Sequence, residues 1–242
     1  MTLIQFTPIF IRYLLIMRTA LLALLLVLAP SISYAREYGH YDLNRIRTIS
    51  EGPSGKKYAI DKQYLDQVLH DLGFHARNYP PQFDNPEDQR RAVQDAIAVS
   101  GMLDAVIVGP KPDTDLLVRA GFLGMIGKNL NITGSAQKAD SNFKRSLKAA
   151  PSDPLGNFLY GTFLAGEGKL KRAIPYLEKA LASGESDAAY TLGMVYKTLG
   201  NSKKAIDNLE IYRKSSPYNE QTAATLIAEI ENSEAKKKGN KK

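Results

Sequence analysis

Three glycines, Gly127, Gly161 and Gly193, each head the same short pattern, and this recurrence restricts the chain to an architecture of stacked, similar units. Seven residues after each comes a second glycine (Gly134, Gly168, Gly200), and twelve residues after each an alanine (Ala139, Ala173, Ala205). Phe143, Leu177 or Leu209 follows that alanine by four, and Pro151 and Pro217 follow it by twelve in the first and third units. The period is 34 between the first two units and 32 between the second and third. Each unit reads as helix, turn, helix. The first glycine lets two helices approach without an intervening Cβ, and the second supplies the left-handed residue that ends the first helix. The alanine is the small contact on the second helix, the Phe or Leu one turn later fills the gap between units, and the proline stops that helix.

The third unit carries Leu192-Gly193 followed by Tyr196, the first has Ile126-Gly127 and Leu130, and the second has Tyr160-Gly161 and Leu164. This pattern resembles the tetratricopeptide repeat, W-x2-L-G-x2-Y…A-x3-F…P, over about residues 120–219. The tryptophan position holds Leu123, Asn157 and Ala189, and the second unit has Glu185 where proline is expected, so its closing turn at Ser183-Gly184 should be tight. The resemblance implies an all-α fold, a right-handed α-solenoid of three helix pairs (120–153, 154–185, 186–219). A stack of this kind needs its ends covered. Ala223, Leu226, Ile227 and Ile230 form one apolar stripe and predict a capping helix over 220–235.

Upstream, residues 59–119 read as a helical region leading into the repeats. Tyr64, Leu65, Val68, Leu69 and Leu72 mark one amphipathic helix, and Asn85-Pro86-Glu87-Asp88 starts a second with Val93, Ala96, Ile97, Leu103 and Ile107 on its buried side. Pro112 is expected to open the helix that runs through Leu116, Leu117, Leu123 and Ile126. No segment reads as a strand. Residues 36–58, with Gly39, Gly52, Pro53 and Gly55, read as an irregular N-terminal segment.

The net charge of +7 would point to nucleic acid if it lay on one face. It does not. Arg12 and Arg18 in residues 1–35, with Lys236, Lys237, Lys238, Lys241 and Lys242 in a basic tail (236–242) read as disordered, account for the whole excess. Thr19 to Ala29 is an apolar run preceded by Met17-Arg18 and followed by Ser33-Tyr34-Ala35, the layout of a cleaved signal peptide ending at Ala35, with Met17 as the true start. The expected location is the bacterial periplasm. The competing reading is an uncleaved membrane anchor, because Ile9 to Ile16 is apolar as well. No later segment has spanning length, so stable membrane insertion of the mature chain is not expected.

Motifs for chemistry are weak. With no cysteine there is no thiolate nucleophile and no disulfide. His70 and His75 are five apart and do not share a helix face; Asp66 and His70 do, and read as a surface pair rather than metal ligands. Gly166-Glu167-Gly168-Lys169 lacks the strand before it and the Ser or Thr after it that a phosphate loop needs. No catalytic residue, metal or cofactor is expected. The function expected is protein or peptide binding on the concave face lined by the first helix of each unit: Lys128, Phe158 and Thr162, Tyr190 and Met194, with Lys197 one turn on. Some members of the family hold a terminal carboxylate with a lysine–asparagine clamp. Here the matching positions are Gly124 with Lys128, Leu159, and Asp187 with Thr191, so that clamp is not carried over. The alternative is an enzyme with its site in residues 36–110 and the repeats as a docking arm.

Overall fold

The computed structural model describes residues 36–52, 55–109 and 111–239; the leader and the last three lysine-rich residues lie outside the described residues. From Arg36 the chain makes a 3-10 turn (Leu43–Ile46), a hairpin of β1 (Arg47–Gly52) and β2 (Gly55–Ile60), and then helices only. These are α1 (Lys62–Ala76), α2 (Pro86–Val106), α3 (Thr114–Asn129), α4 (Ser135–Ala149), α5 (Pro154–Gly166), α6 (Leu170–Ala182), α7 (Asp187–Thr198), α8 (Ser202–Ser215) and α9 (Glu220–Gly239). The fold is an all-α solenoid of helix pairs, with the hairpin as its one β element among the described residues.

Short polar side chains start the helices by satisfying orphan N–H groups. Asp61 accepts from Tyr64 N, Asn85 from Glu87 N and Asp88 N, Asp113 from Asp115 N, and Asp153 from Gly156 N. The expected start of α2 at Asn85-Pro86 is therefore met. The helix expected to open at Pro112 begins instead behind Asp113, the residue with the capping carboxylate.

The second and third units fold as their glycines dictate. A Cβ on Gly161 would lie 2.6 Å from Leu177 Cγ, and one on Gly193 2.8 Å from Leu209 Cγ. Gly168 (φ 70°) and Gly200 (φ 75°) close α5 and α7, with Lys169 N donating to Leu164 O and Asn201 N to Tyr196 O. The tight turn at Ser183-Gly184 forms as well, with Gly184 at φ 95°.

The first unit departs from its expected register. Here Ile132 N donates to Gly127 O, and the left-handed closing residue is Asn131 (φ 59°) rather than Gly134. Asn131 thus stands where Gly168 and Gly200 stand, Gly127 takes the place of Leu164 and Tyr196, and Gly124 takes that of Gly161 and Gly193. The packing agrees: a Cβ on Gly124 would meet Ala139 N at 2.8 Å and Ser135 O at 2.9 Å. Phe143 lies over Gly121, where a Cβ would be 2.6 Å from its ring, and not over Gly127. Gly134 (φ 80°) belongs to a longer turn and becomes the residue before α4.

The described residues of 36–60 are ordered, a correction to the irregular segment expected over 36–58. Tyr38 is fully buried between α1 and α2. Its hydroxyl donates to Asp95 (2.9 Å), its N–H to Asp88 (3.2 Å), and its carbonyl accepts from Arg91 (2.7 Å). Asp71 on α1 accepts from Arg36, Gly39 N and the Tyr41 hydroxyl. Polar partners 30 to 57 residues away hold this strap, so local composition gives no sign of it.

Two apolar clusters meet at α3. Leu117, Leu123 and Ile126 pack with α1, α2 and Tyr38, while Val118 and Met125 pack with the later repeats. At the far end Ala223, Ile227 and Ile230 of α9 are buried, with Leu226 beside them, so the expected cap is present. It runs to Gly239, past the expected end at 235. The first tail lysines are helical, with Lys237 paired to Glu234 at 3.1 Å, because cations suit a helix C-terminus.

Candidate partner-binding groove

The first helices of successive units, α3, α5 and α7, share the inner face of the stack, with α1 and the turn after it along one side. Two recesses lie on this face. The upper one, about 330 Å³, is lined by Met125, Lys128, Thr162, Tyr190, Thr191 and Met194, with Arg77 and Tyr79 at its edge. The lower one, about 360 Å³, is lined by Val118, Phe122, Leu155 and Leu159, with Asp66, His70 and Arg119 at its edge.

Of the six residues expected in the groove, Lys128, Thr162, Tyr190 and Met194 come together in the upper recess. Phe158 does not join them; it is half-buried against the repeat core. Lys197 is turned to α9, where it pairs with Glu229 at 2.9 Å. Met125, Thr191, Arg77, Tyr79 and the whole lower recess were missed. The register shift explains part of this, since Met125 is the true counterpart of Thr162 and Met194, one residue after the contact glycine. The same shift moves the clamp positions of the first unit to Gly121 and Met125, neither of which offers a cation.

Charges at the groove are mostly spent within the protein. Lys128 pairs with Glu167 at 2.7 Å. Arg119 holds Asp66 with two hydrogen bonds (2.7 and 2.8 Å) and also Asp115. A hydrogen bond from Lys62, outweighing partial burial, keeps the Asp115 carboxyl below its usual range. Asp66 is therefore not His70's partner, and His70 stands exposed. Arg77 is exposed and makes no ion pair among the described residues. Thr162 Oγ1 is buried in the upper recess with no hydrogen-bond partner.

The buried acid–histidine pair is Asp71 with His75, four apart on α1. His75 Nδ1 lies 2.8 Å from Gln82 O, and Phe83 stacks on the ring at 4.8 Å. Asp71 is occupied in holding the strap, and no group of three metal-capable side chains occurs among the described residues. A cleft of about 480 Å³ lies on the other side of α3, between Ile97, Leu123 and Ile132, where the longer 131–134 turn parts α3 from α4. Its one lysine, Lys138, is engaged by Asp104 and Ser100.

Stacked helix pairs with an open, apolar inner face define a protein–protein interaction module. The tetratricopeptide-repeat family profile matches residues 186–210, within the third unit, so the chain carries a tetratricopeptide repeat there. The aspartyl/asparaginyl beta-hydroxylase of Mus musculus is 27% identical over 88 residues, which are 36% of this chain and 12% of that protein. Among solved structures, MamA AMB-1 is 20% identical with a TM-score of 0.47, covering 72% of this chain and 85% of its own. MamA of Desulfovibrio magneticus RS-1 is 21% identical with a TM-score of 0.44, covering 61% of this chain and 94% of its own. No helix among the described residues is long and apolar enough to cross a membrane.

Proposed function

We propose that this is an exported interaction module without catalytic activity, holding a segment of another envelope or secreted polypeptide on the inner face of α3, α5 and α7. One observation carries the reading: Met125, Thr162, Tyr190 and Met194 converge from three successive units on a single recess. Methionines and aromatics there suit an adaptable polypeptide partner. Three acids of residues 36–110, Asp71, Asp88 and Asp95, are engaged in holding the strap, which counts against their serving as catalytic groups. Export rests on the leader, with its short apolar run and Ser33-Tyr34-Ala35.

Thr162→Arg combined with Met194→Arg fills the upper recess from two helices without touching the buried core. It is expected to weaken binding of the native partner by about 2 kcal/mol or more, the scale of an interface hot spot. The partner is taken from pull-downs of the tagged protein in its own envelope extract and titrated against both forms. Equal binding by a folded double variant removes the inner-face assignment. N-terminal sequencing of the exported protein is expected to begin at Arg36; a chain that keeps residues 19–35 is the anchored form instead.

A further inference from the structure

The two recesses are set at corresponding places along the inner helices. Phe122 and Asn129 on α3 are seven residues apart, as are Leu155 and Thr162 on α5, and in each pair the first residue lines the lower recess and the second the upper. At 1.5 Å per residue the recesses are about 10 Å apart. A ligand must therefore offer two apolar side chains on one face at that spacing. In an extended strand, residues three apart span about 10 Å but point to opposite faces, and same-face residues fall near 7 or 13 Å. In a helix, residues seven apart span about 10.5 Å and lie almost in line.

Charge gives the direction. The C-terminal ends of α3 and α5, at Asn129 and Gly166, both border the upper recess, so two partial negative charges gather there. A helix N-terminus, with its partial positive charge, is favoured beside them. Acids in a helix's first turn would then meet Arg77, the groove cation with no ion pair, while Lys128 is already shared with Glu167. The lower recess asks for no charge, because Asp66 and Arg119 neutralise each other at its edge.

We propose that the inner face takes an amphipathic α-helix of a partner protein, antiparallel to α3 and α5. Two large apolar side chains seven residues apart fill the recesses, and an acid in its first turn pairs with Arg77. This rests on the inner face being the working surface.

The probes are fluorescent synthetic peptides of about 18 residues, long enough to be partly helical. The parent has Glu in its first turn and Leu at two positions seven apart. A second moves one Leu to a spacing of five, a third carries two central prolines, and a fourth has Lys for Glu. Titrated by anisotropy against the protein, the parent is expected to bind about tenfold more tightly than the second and third, or about 1.4 kcal/mol. Arg77→Glu is expected to reverse the order of the first and fourth. A proline-broken peptide that binds as well as the parent, or no peptide binding below about 1 mM, overturns the helix proposal. The reading it rests on fails separately: Leu155→Glu should weaken whichever peptide binds, and a folded Leu155→Glu protein with unchanged affinity places the site off the inner face.

Discussion

Gly124→Val is expected to destabilise the protein by about 3 kcal/mol or more, at the upper end of what overpacking costs. The new side chain would enter a space where even a Cβ lies 2.8 Å from Ala139 N and 2.9 Å from Ser135 O. Backbone atoms cannot rotate away, so α3 and α4 must part. Gly161→Ala is expected to cost less, about 1–3 kcal/mol, because the obstacle is mainly the Leu177 side chain. Gly127→Ala should be milder again, since the Ser135 hydroxyl 2.5 Å away can turn to another rotamer. Gly101→Ala should have the opposite sign. Nothing lies within 4 Å of its Cβ position inside α2, so the helix gains about 0.5–1 kcal/mol from lost unfolded-state freedom. Urea unfolding of the four variants checks the order. A larger loss at Gly127 than at Gly124 would restore the register that the sequence spacing implies.

Tyr38→Ala is expected to cost about 4 kcal/mol, in the range for removing a buried aromatic ring. The ring is fully buried, edge-on to Tyr41, His75 and Phe83 at 5.8, 5.8 and 6.3 Å. Its removal leaves a cavity between α1 and α2 and takes away the hydroxyl that donates to Asp95. Burial already holds the Asp95 carboxyl above its ordinary range, even with Tyr38 and Arg91 favouring the charged form. Tyr38→Phe keeps the packing and loses only the hydrogen bond, so about 1–2 kcal/mol is expected. Thermal or urea unfolding separates the two. A loss below about 0.5 kcal/mol for Tyr38→Ala, the size of a surface change, would mean that the strap is no part of the folded core.

The repeats were legible where local rules decide them. Gly161 with Leu177, Gly193 with Leu209, and the left-handed Gly168 and Gly200 follow from spacing alone, because each meets a need within one helix pair. The first unit misled because Gly127, with Gly134 seven and Ala139 twelve residues on, meets the repeat spacing, whereas Gly124 has Asn131 at the closing position. Asn131, one of the few non-glycine residues at ease with a left-handed backbone, hid the true end of α3. The strap was illegible for another reason. Its order comes from Asp71, Asp88 and Asp95 on distant helices, while its own glycines and proline argue for a loop. In the groove, spacing within the repeats located Thr162, Tyr190 and Met194. It could not supply Arg77, Tyr79 or Asp66, which reach the inner face from outside the repeats.

Site-specific photo-crosslinking in the producing cell tests the central claim most directly. A photoreactive residue is placed in turn at Met125, Thr162 and Met194 on the inner face, and at Lys148, Lys179 and Lys214 on the second helices of the three units. The account predicts that one discrete partner band appears from the inner-face positions and none from the lysine positions. A partner captured only from Lys148, Lys179 or Lys214 would contradict it, and would move the working surface to the outside of the stack.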